Sequence, residues 1–343
     1  MDFTLSEEQL MFAETARTLF ADTCTPDHWR RLMEAGESRE PGRWQAIVET
    51  GLTALLLPES AGGLGLAELD FALIAEAAGY VALPDPLVES AGIAAPMLAA
   101  LAPDHPALAD PTATIAIQER EDALVADADS AAAIILRRGD DAFVAGPGDV
   151  LLVRRESIDP FRRLFSVEWK TGAAEALGPA DWELARDRGA LFAAAQGLGL
   201  AQRAVDMAVT YAKDREQFGK PIGSYQAVKH QLSSVQVGIE FARPVVLAAA
   251  ADIAHGDIHS RARVSHAKIV ALETADLAAR TAIQVHGAMG YSWEVDVHLF
   301  LKRALALTGC WGTPGFHRAR VAARLFGQPT GPEFTFARDL QHA

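Results

Sequence analysis

The chain has 343 residues, half of them hydrophobic, a formal net charge of −14 and a pI near 5.2. That acidity excludes a nucleic-acid partner, whose phosphates require a basic footprint. The two cysteines, Cys24 and Cys310, lie too far apart for a disulfide framework or a metal motif. No apolar run approaches the ~20 residues that cross a bilayer, and the acidic start "MDFTLSEEQL" lacks the pattern of a secretion signal. A cytoplasmic protein with no membrane partner is expected.

Alanine-rich composition favours helices, because Ala loses no side-chain entropy on forming one. Ser6 with Gln9 reads as a capping box, and Phe12, Ala16, Leu19 and Phe20 follow at helical spacing. After "WQAIVETGLTALLLPE" and the turn "SAGGLG" comes a second apolar helix, "LAELDFALIAEAAGYVAL", ended by Pro84 and Pro86. Residues 1–110 therefore read as a helical domain.

Between residues 111 and 179 the pattern changes to short β-like runs: "TIAIQ", "AAAIILRR", "DAFVAG", "DVLLVRR" and "RLFSVEW". Gly, Asp and Pro separate them, as in a small antiparallel sheet domain.

Residues 180–343 read as a helical bundle. Val228, Leu232, Val235, Ile239, Ala242 and Val246 form a stripe stepping by four and three, with Ser224 as the expected N-cap and Pro244 as an expected kink. Ser260 is expected to open a further helix running to "AIQVHG". Two shorter helices then flank "GCWGTPG", the first stopping at Gly309 and the second starting from Thr313 and Pro314. The fold class is thus mainly α, with a short β domain between two helical ones.

Two stretches could carry chemistry. In "YAKDREQFGKPIGSYQ", Arg215 offers a cationic fork, Gln217 an amide and Phe218 a stacking face, a set suited to a phosphate-bearing ligand. A helix C-terminus with a dipole-compensating Arg explains the same residues. In "QVHGAMGYSWE", Gln284 precedes a Gly287-to-Gly290 turn whose backbone could approach a ligand closely, or simply cap a helix. His255, His259 and His266 have no acidic partner spaced to complete a metal site, so no metal is expected. "GPGDV" lacks the third glycine of a dinucleotide fingerprint, and "GLGLAQ" sits mid-helix, where small residues mean close packing. No nucleophile elbow is present.

In order, "FTLSEEQ", "LLLPESAGGLGL", "GLGLAQRAVDMAVTYAKDREQFGKPIGSYQAVKHQLS" and "AIQVHGAMGYSWEVDVHLFLKRA" resemble the acyl-CoA dehydrogenase family of flavoenzymes over nearly the whole chain. The resemblance implies N-terminal helices, a middle β domain and a C-terminal four-helix bundle. It further implies FAD as cofactor, an acyl-CoA thioester as substrate and an electron-transfer flavoprotein as electron acceptor. In that family each FAD lies across a subunit interface. By resemblance, Arg215, Gln217 and Phe218 hold the diphosphate and adenine side of a neighbour's FAD, Gln226 lies nearby, and Gln284 with Gly287 meets the adenosine end. Ala288 departs from the second glycine that many members carry.

The family's reaction removes a proton α to the thioester, which requires a positioned carboxylate. Many members carry that Glu in a Glu-Gly-Thr loop, and the matching position here is Trp311, in "WGT". Others carry it on the helix leading into the Arg-x-x-Phe-Gly segment, where Gly189 stands. Both base positions are therefore empty of acid, and no catalytic residue is assigned. Asp187, Cys310 and His317 are the substitutes within reach. The family's Thr-Glu-Pro-x-Ala-Gly-Ser-Asp-like and Trp-Ile-Thr/Ser-Asn-like segments are not visible between Thr112 and Thr171.

The chain is most similar to the short, base-less subunits of bacterial hetero-oligomeric acyl-CoA dehydrogenases that act on steroid or bile-acid side chains. "SWEVDVHLFLKRA" is similar to that group in particular. The resemblance then implies a homologous partner chain that supplies the catalytic Glu. Two alternatives stay open: a self-sufficient homomeric enzyme with an atypical base, and a non-catalytic scaffold subunit.

Overall fold

The structure, a computed structural model, describes residues 4–37 and 39–329. Its first part is built from helices α1 (Glu7–Thr23), α2 (Pro26–Ala35), α3 (Pro41–Glu49), α4 (Glu68–Tyr80) and α5 (Ala95–Leu101). The capping box forms as expected: Gln9 N donates to Ser6 Oγ at 3.1 Å and Ser6 N to Gln9 Oε1 at 3.0 Å. Helix α4 is buried almost all round, which explains why its sequence shows no polar face.

The middle part holds two small sheets. Strands β1 (Ile115–Ile117), β2 (Val125–Ala126), β3 (Ala133–Arg138), β4 (Asp141–Ala145), β5 (Leu151–Arg155), β6 (Leu164–Glu168) and β7 (Glu175–Pro179) follow in chain order. They assemble as β1-β3-β4-β7 and β2-β6-β5. The expectation of a single antiparallel sheet is corrected. β1 pairs with β3 in parallel, because the chain leaves through β2 in the second sheet and re-enters in the same direction. Alternation then buries both faces: Ala116, Ile134 and Leu136 point into the core between the sheets, while Ile115, Ile117 and Ile135 join the helical core.

The last part is a bundle of α6 (Trp182–Asp214), α7 (Gln226–Asp252), α8 (Ile258–His286), α9 (Val297–Gly309) and α10 (Pro314–Gly327). Leu232, Val235, Ile239, Ala242 and Val246 of the predicted stripe are buried. Two local expectations, both of N-caps, change. Tyr225, not Ser224, is the N-cap of α7, and Ser224 Oγ turns back to Pro221 O at 2.7 Å. Asp257, not Ser260, caps α8, its carboxylate accepting from His259 N and Ser260 N, while Ser260 serves as the return arm of that box. Helix α7 runs unbroken through Pro244.

Helices α6 and α8 run side by side in the same direction. Asp187 meets Arg261 (3.7 Å), Gly197 abuts Leu272, and the Tyr211 ring stacks on His286 at 4.2 Å. Glycine makes the crossing of α4 and α6 possible. A Cβ at Gly199 would stand 2.0 Å from Glu76 O, and one at Gly79 2.1 Å from Gln196 O. The "GLGLAQ" stretch is a close-packing device, as read from the sequence. Among the described residues no helix is long and apolar enough to cross a membrane.

Candidate functional site

The loop after α9 is built around a tryptophan in a left-handed conformation. Cys310 caps the helix, Trp311 has φ +54° and Gly312 φ +100°, and Thr313 Oγ1 accepts from Phe316 N to start α10. A bulky residue in that backbone region is strained by about 1–2 kcal/mol, so the surroundings must impose it. Trp311 is only 7% exposed.

Its indole lies directly on Gly189 of α6. A Cβ added at Gly189 would stand 2.1 Å from indole Cδ2 and 2.3 Å from Cγ. The two positions at which the resemblance places a base are thus one place in space. The ring at one excludes any side chain at the other.

Every polar group around the loop is committed to holding it. Trp311 N donates to Glu119 Oε2 at 2.8 Å. His317 Nε2 donates to Trp311 O at 2.9 Å, which makes its Nδ1 the acceptor for the Ser265 hydroxyl at 3.0 Å. Lys268 Nζ donates to Cys310 O and, at 3.1 Å, to Gly312 O. Arg162 Nη1 donates to Cys310 Sγ at 2.8 Å, and the thiol lies 3.2 Å from Ala306 O. Burial, reinforced by the Lys268 charge, pushes His317 down to about 4, so the imidazole is neutral at physiological pH. Burial likewise brings Lys268 down to about 8.

None of the three substitute bases is free. Asp187 is chelated by Arg320 at 2.6 and 3.3 Å, with Arg261 at 3.7 Å. Burial raises its carboxyl and the Arg320 contacts oppose that. His317 holds the loop, and Cys310 is engaged as described. Sequence reasoning missed Glu119, whose carboxylate meets the loop; its only signal was an acid two residues after the apolar run of β1. It also missed Lys268 and Arg162.

Beneath the loop the interior is polar and full. Arg303 is paired with Asp159 and donates to Leu83 O at 2.9 Å, and Arg162 lies 3.7 Å from Glu89. The cavity bounded by Leu83, Glu89, Phe161, Arg162 and Arg303 measures about 20 Å³, space for a water molecule and not for an acyl chain.

The other end of α6 is the opposite in character. Strands β8 (Glu216–Gln217) and β9 (Lys220–Pro221) form a hairpin whose two-residue turn is Phe218 (φ +53°) and Gly219 (φ +79°), the paired positive angles of a type I′ turn. Phe218 is 94% exposed, and Arg215, Gln217 and Gln226 are exposed beside it. Tyr225 OH donates to Gln217 O at 3.1 Å and Ile222 N to Arg215 O at 2.8 Å, which fixes the hairpin backbone while the Arg215, Gln217 and Phe218 side chains stay exposed. The Tyr211–His286 stack brings this end of α6 to the end of α8, where Gln284 and Gly287 are also exposed. Gly287 has φ +60° and ψ −137° with open space above its Cα, a cradle that a side chain would strain. A cation, three amides, an aromatic face and an open glycine backbone fit the adenosine and diphosphate part of FAD by chemistry. At 1.5 Å per residue, Arg215 and Gly189 stand roughly 40 Å apart along α6.

The acyl-CoA dehydrogenase N-terminal domain pattern matches residues 6–104, and the acyl-CoA dehydrogenase C-terminal domain pattern matches residues 180–326. Acyl-CoA dehydrogenase IpdE2 of Mycobacterium tuberculosis is 35% identical over 311 residues, 88% of this chain and 92% of that protein. Among solved structures, a chain of the ChsE4-ChsE5 complex from Mycobacterium tuberculosis superposes with a TM-score of 0.84 at 22% identity, covering 96% of this chain and 100% of that one. A variant of the Tcur3481-Tcur3483 steroid ACAD superposes with a TM-score of 0.79 at 23% identity, covering 94% of this chain and 99% of that one. At those identities the structural likenesses speak for the fold. The sequence matches go further: this chain belongs to the acyl-CoA dehydrogenase family, whose members are FAD-dependent oxidoreductases.

Proposed function

We propose that this chain is the base-less subunit of a cytoplasmic hetero-oligomeric acyl-CoA dehydrogenase, organised as units 1–110, 111–179 and 180–343. A homologous partner supplies the catalytic Glu and most of the flavin cradle. This chain supplies Arg215, Gln217, Phe218, Gln226, Gln284 and Gly287 to the adenine and diphosphate side of the partner's FAD. The bound flavin provides the family's hydride-accepting chemistry, its electrons passing to an electron-transfer flavoprotein. The substrate is an acyl-CoA thioester, in the steroid class by likeness to a steroid ACAD.

One observation carries the reading: the Trp311 indole seated on Gly189, which fills both base positions at once. A self-sufficient enzyme needs a free carboxylate or imidazole at that place. Asp187 is chelated, His317 and Glu119 hold the loop backbone, and the cavity below has room only for water. The exposed, uncommitted hairpin some 40 Å away supports a role toward a different chain's cofactor, since one extended dinucleotide cannot serve both ends of a helix of that length.

The test is the visible spectrum of the chain purified alone and co-purified with a homologous chain that carries the Glu. Flavin bands and acyl-CoA oxidation are expected only in the pair, with flavin content lowered by Arg215→Ala. A lone chain that is yellow and oxidises acyl-CoA overturns the proposal. An Arg215→Ala pair with undiminished flavin favours a scaffold.

A further inference from the structure

The hairpin of β8 and β9 sorts its charges by face. Gln217 pairs with Lys220 and Glu216 with Pro221, and the bond from Ile222 N to Arg215 O (2.8 Å) carries the pairing one step further. Arg215 is itself extended, with φ −77° and ψ 120°. Successive side chains of an extended strand alternate between faces, and directly paired residues share one. Arg215, Gln217 and Lys220 therefore stand on one face and Glu216 on the other. Arg215 and Lys220 are both exposed, and among the described residues neither has an ion pair. Asp214 precedes the hairpin in the last turn of α6, where Lys213 offsets it. The shared face is cationic.

Lys220 is also held in place. Its Nζ lies 4.3 Å from the centroid of the Tyr225 ring. The same tyrosine donates its hydroxyl to Gln217 O at 3.1 Å and its backbone N to Ile222 O at 3.1 Å. One side chain thus fastens the first strand by its hydroxyl and seats the cation of the second on its ring. The base of the hairpin is pinned to α6 at Gly223, where a Cβ would stand 2.9 Å from Ala212 O. A lysine otherwise gives up much rotamer freedom when it binds an anion. A ring beneath the ammonium takes part of that loss in advance and leaves N–H donors free.

The diphosphate of a dinucleotide carries negative charge on each phosphate. A guanidinium fork suits one phosphate and a point cation the other. We infer that Lys220 is the second phosphate-binding cation of the shared flavin site, and that Tyr225 is its positioning residue. The inference rests on the proposed shared site and deepens it. Arg215 takes one phosphate and Lys220 the other, while Tyr225 touches neither and acts through Lys220 and Gln217.

The test uses the co-purified pair loaded with FAD, with the Kd read from the fluorescence of flavin released on dilution. Lys220→Met, which keeps most of the stem and removes the charge, is expected to raise that Kd about ten-fold at low salt. In about 1 M NaCl, where screening removes the charge contribution, the difference is expected to shrink. Lys220→Arg is expected to recover most of the affinity, and the thermal midpoint of the lone chain is expected to stay unchanged in both variants. In a Tyr225→Leu background, Lys220→Met is expected to add no more than about three-fold, because the seat of the ammonium is already gone. An unchanged Kd for Lys220→Met, with Arg215→Ala still losing flavin, overturns the inference and leaves the shared site standing. An equal loss at low and high salt assigns Lys220 to packing and overturns it as well. The full effect of Lys220→Met in both backgrounds overturns the positioning role of Tyr225. Flavin bound by the lone chain, or kept in full by the Arg215→Ala pair, overturns the shared-site reading and the inference with it.

Discussion

The two ends of α6 were given opposite instructions. At the Gly189 end an indole covers the helix, and a carboxylate, an imidazole and an ammonium are all spent on the loop backbone. At the Arg215 end a rigid hairpin leaves a guanidinium, an amide and a ring in water. A saturated, buried polar cluster is architecture, because each buried group already has the partner it needs. An exposed set with fixed backbone and unspent side chains is prepared for something outside the chain. In the reading proposed above, the two ends correspond to two parts of one family site, of which this chain keeps the Arg215 part.

The contrast can be broken hardest at the indole. Trp311→Ala should cost about 3–5 kcal/mol of stability, the loss of a buried aromatic, with the left-handed strain retained because alanine keeps a Cβ, read as a lowered urea midpoint. Gly189→Ala should cost about 1–3 kcal/mol, because its methyl enters the ring. Combined with Trp311→Ala that cost should largely vanish. Additive effects in the double-mutant cycle would show that the ring does not sit there.

The pH response sharpens the same end. His317 is near 4 when folded and near 6.5 when unfolded, so between those values the unfolded chain binds more protons. Stability is therefore full above about pH 6.5 and is lost as pH falls toward 4, by roughly 1.4 kcal/mol per unit for this group. His317→Gln, compared with wild type in denaturant titrations at pH 7 and pH 5, should flatten that dependence. An equal slope in both proteins would remove His317 as its source.

The smallest effects on stability belong to the other end. Arg215→Ala and Phe218→Ala should change the folding free energy by no more than about 0.5 kcal/mol, as for exposed residues without partners. Phe218→Gly should be neutral or slightly stabilising, since glycine accepts the positive φ of the turn. The same substitutions should lower the flavin content of the pair. A large loss of stability in the lone chain would mean that the hairpin is structural after all.

The sequence by itself determined the local architecture. The Ser6 box, the Gly309 stop, the Thr313 start, the buried stripe of α7 and all five β-like runs appear where composition and period placed them. Local signals suffice there because capping, turn formation and amphipathic burial involve residues within one or two turns of each other. The cap positions themselves fell to neighbours, to Tyr225, which makes no side-chain cap bond, in place of Ser224, and to Asp257 in place of Ser260. The missing acid at Trp311 and Gly189 was also legible, position by position. That the two positions are one place, with the ring of the first excluding a side chain at the second, was decided only when α9 packed against α6. The same holds for the parallel pairing of β1 with β3 and for the gathering of Glu119, Arg162, Lys268 and His317 around one loop. These contacts join residues distant in the chain, and no local propensity encodes them. They arise because a close-packed interior admits only side chains that fit the space their neighbours leave.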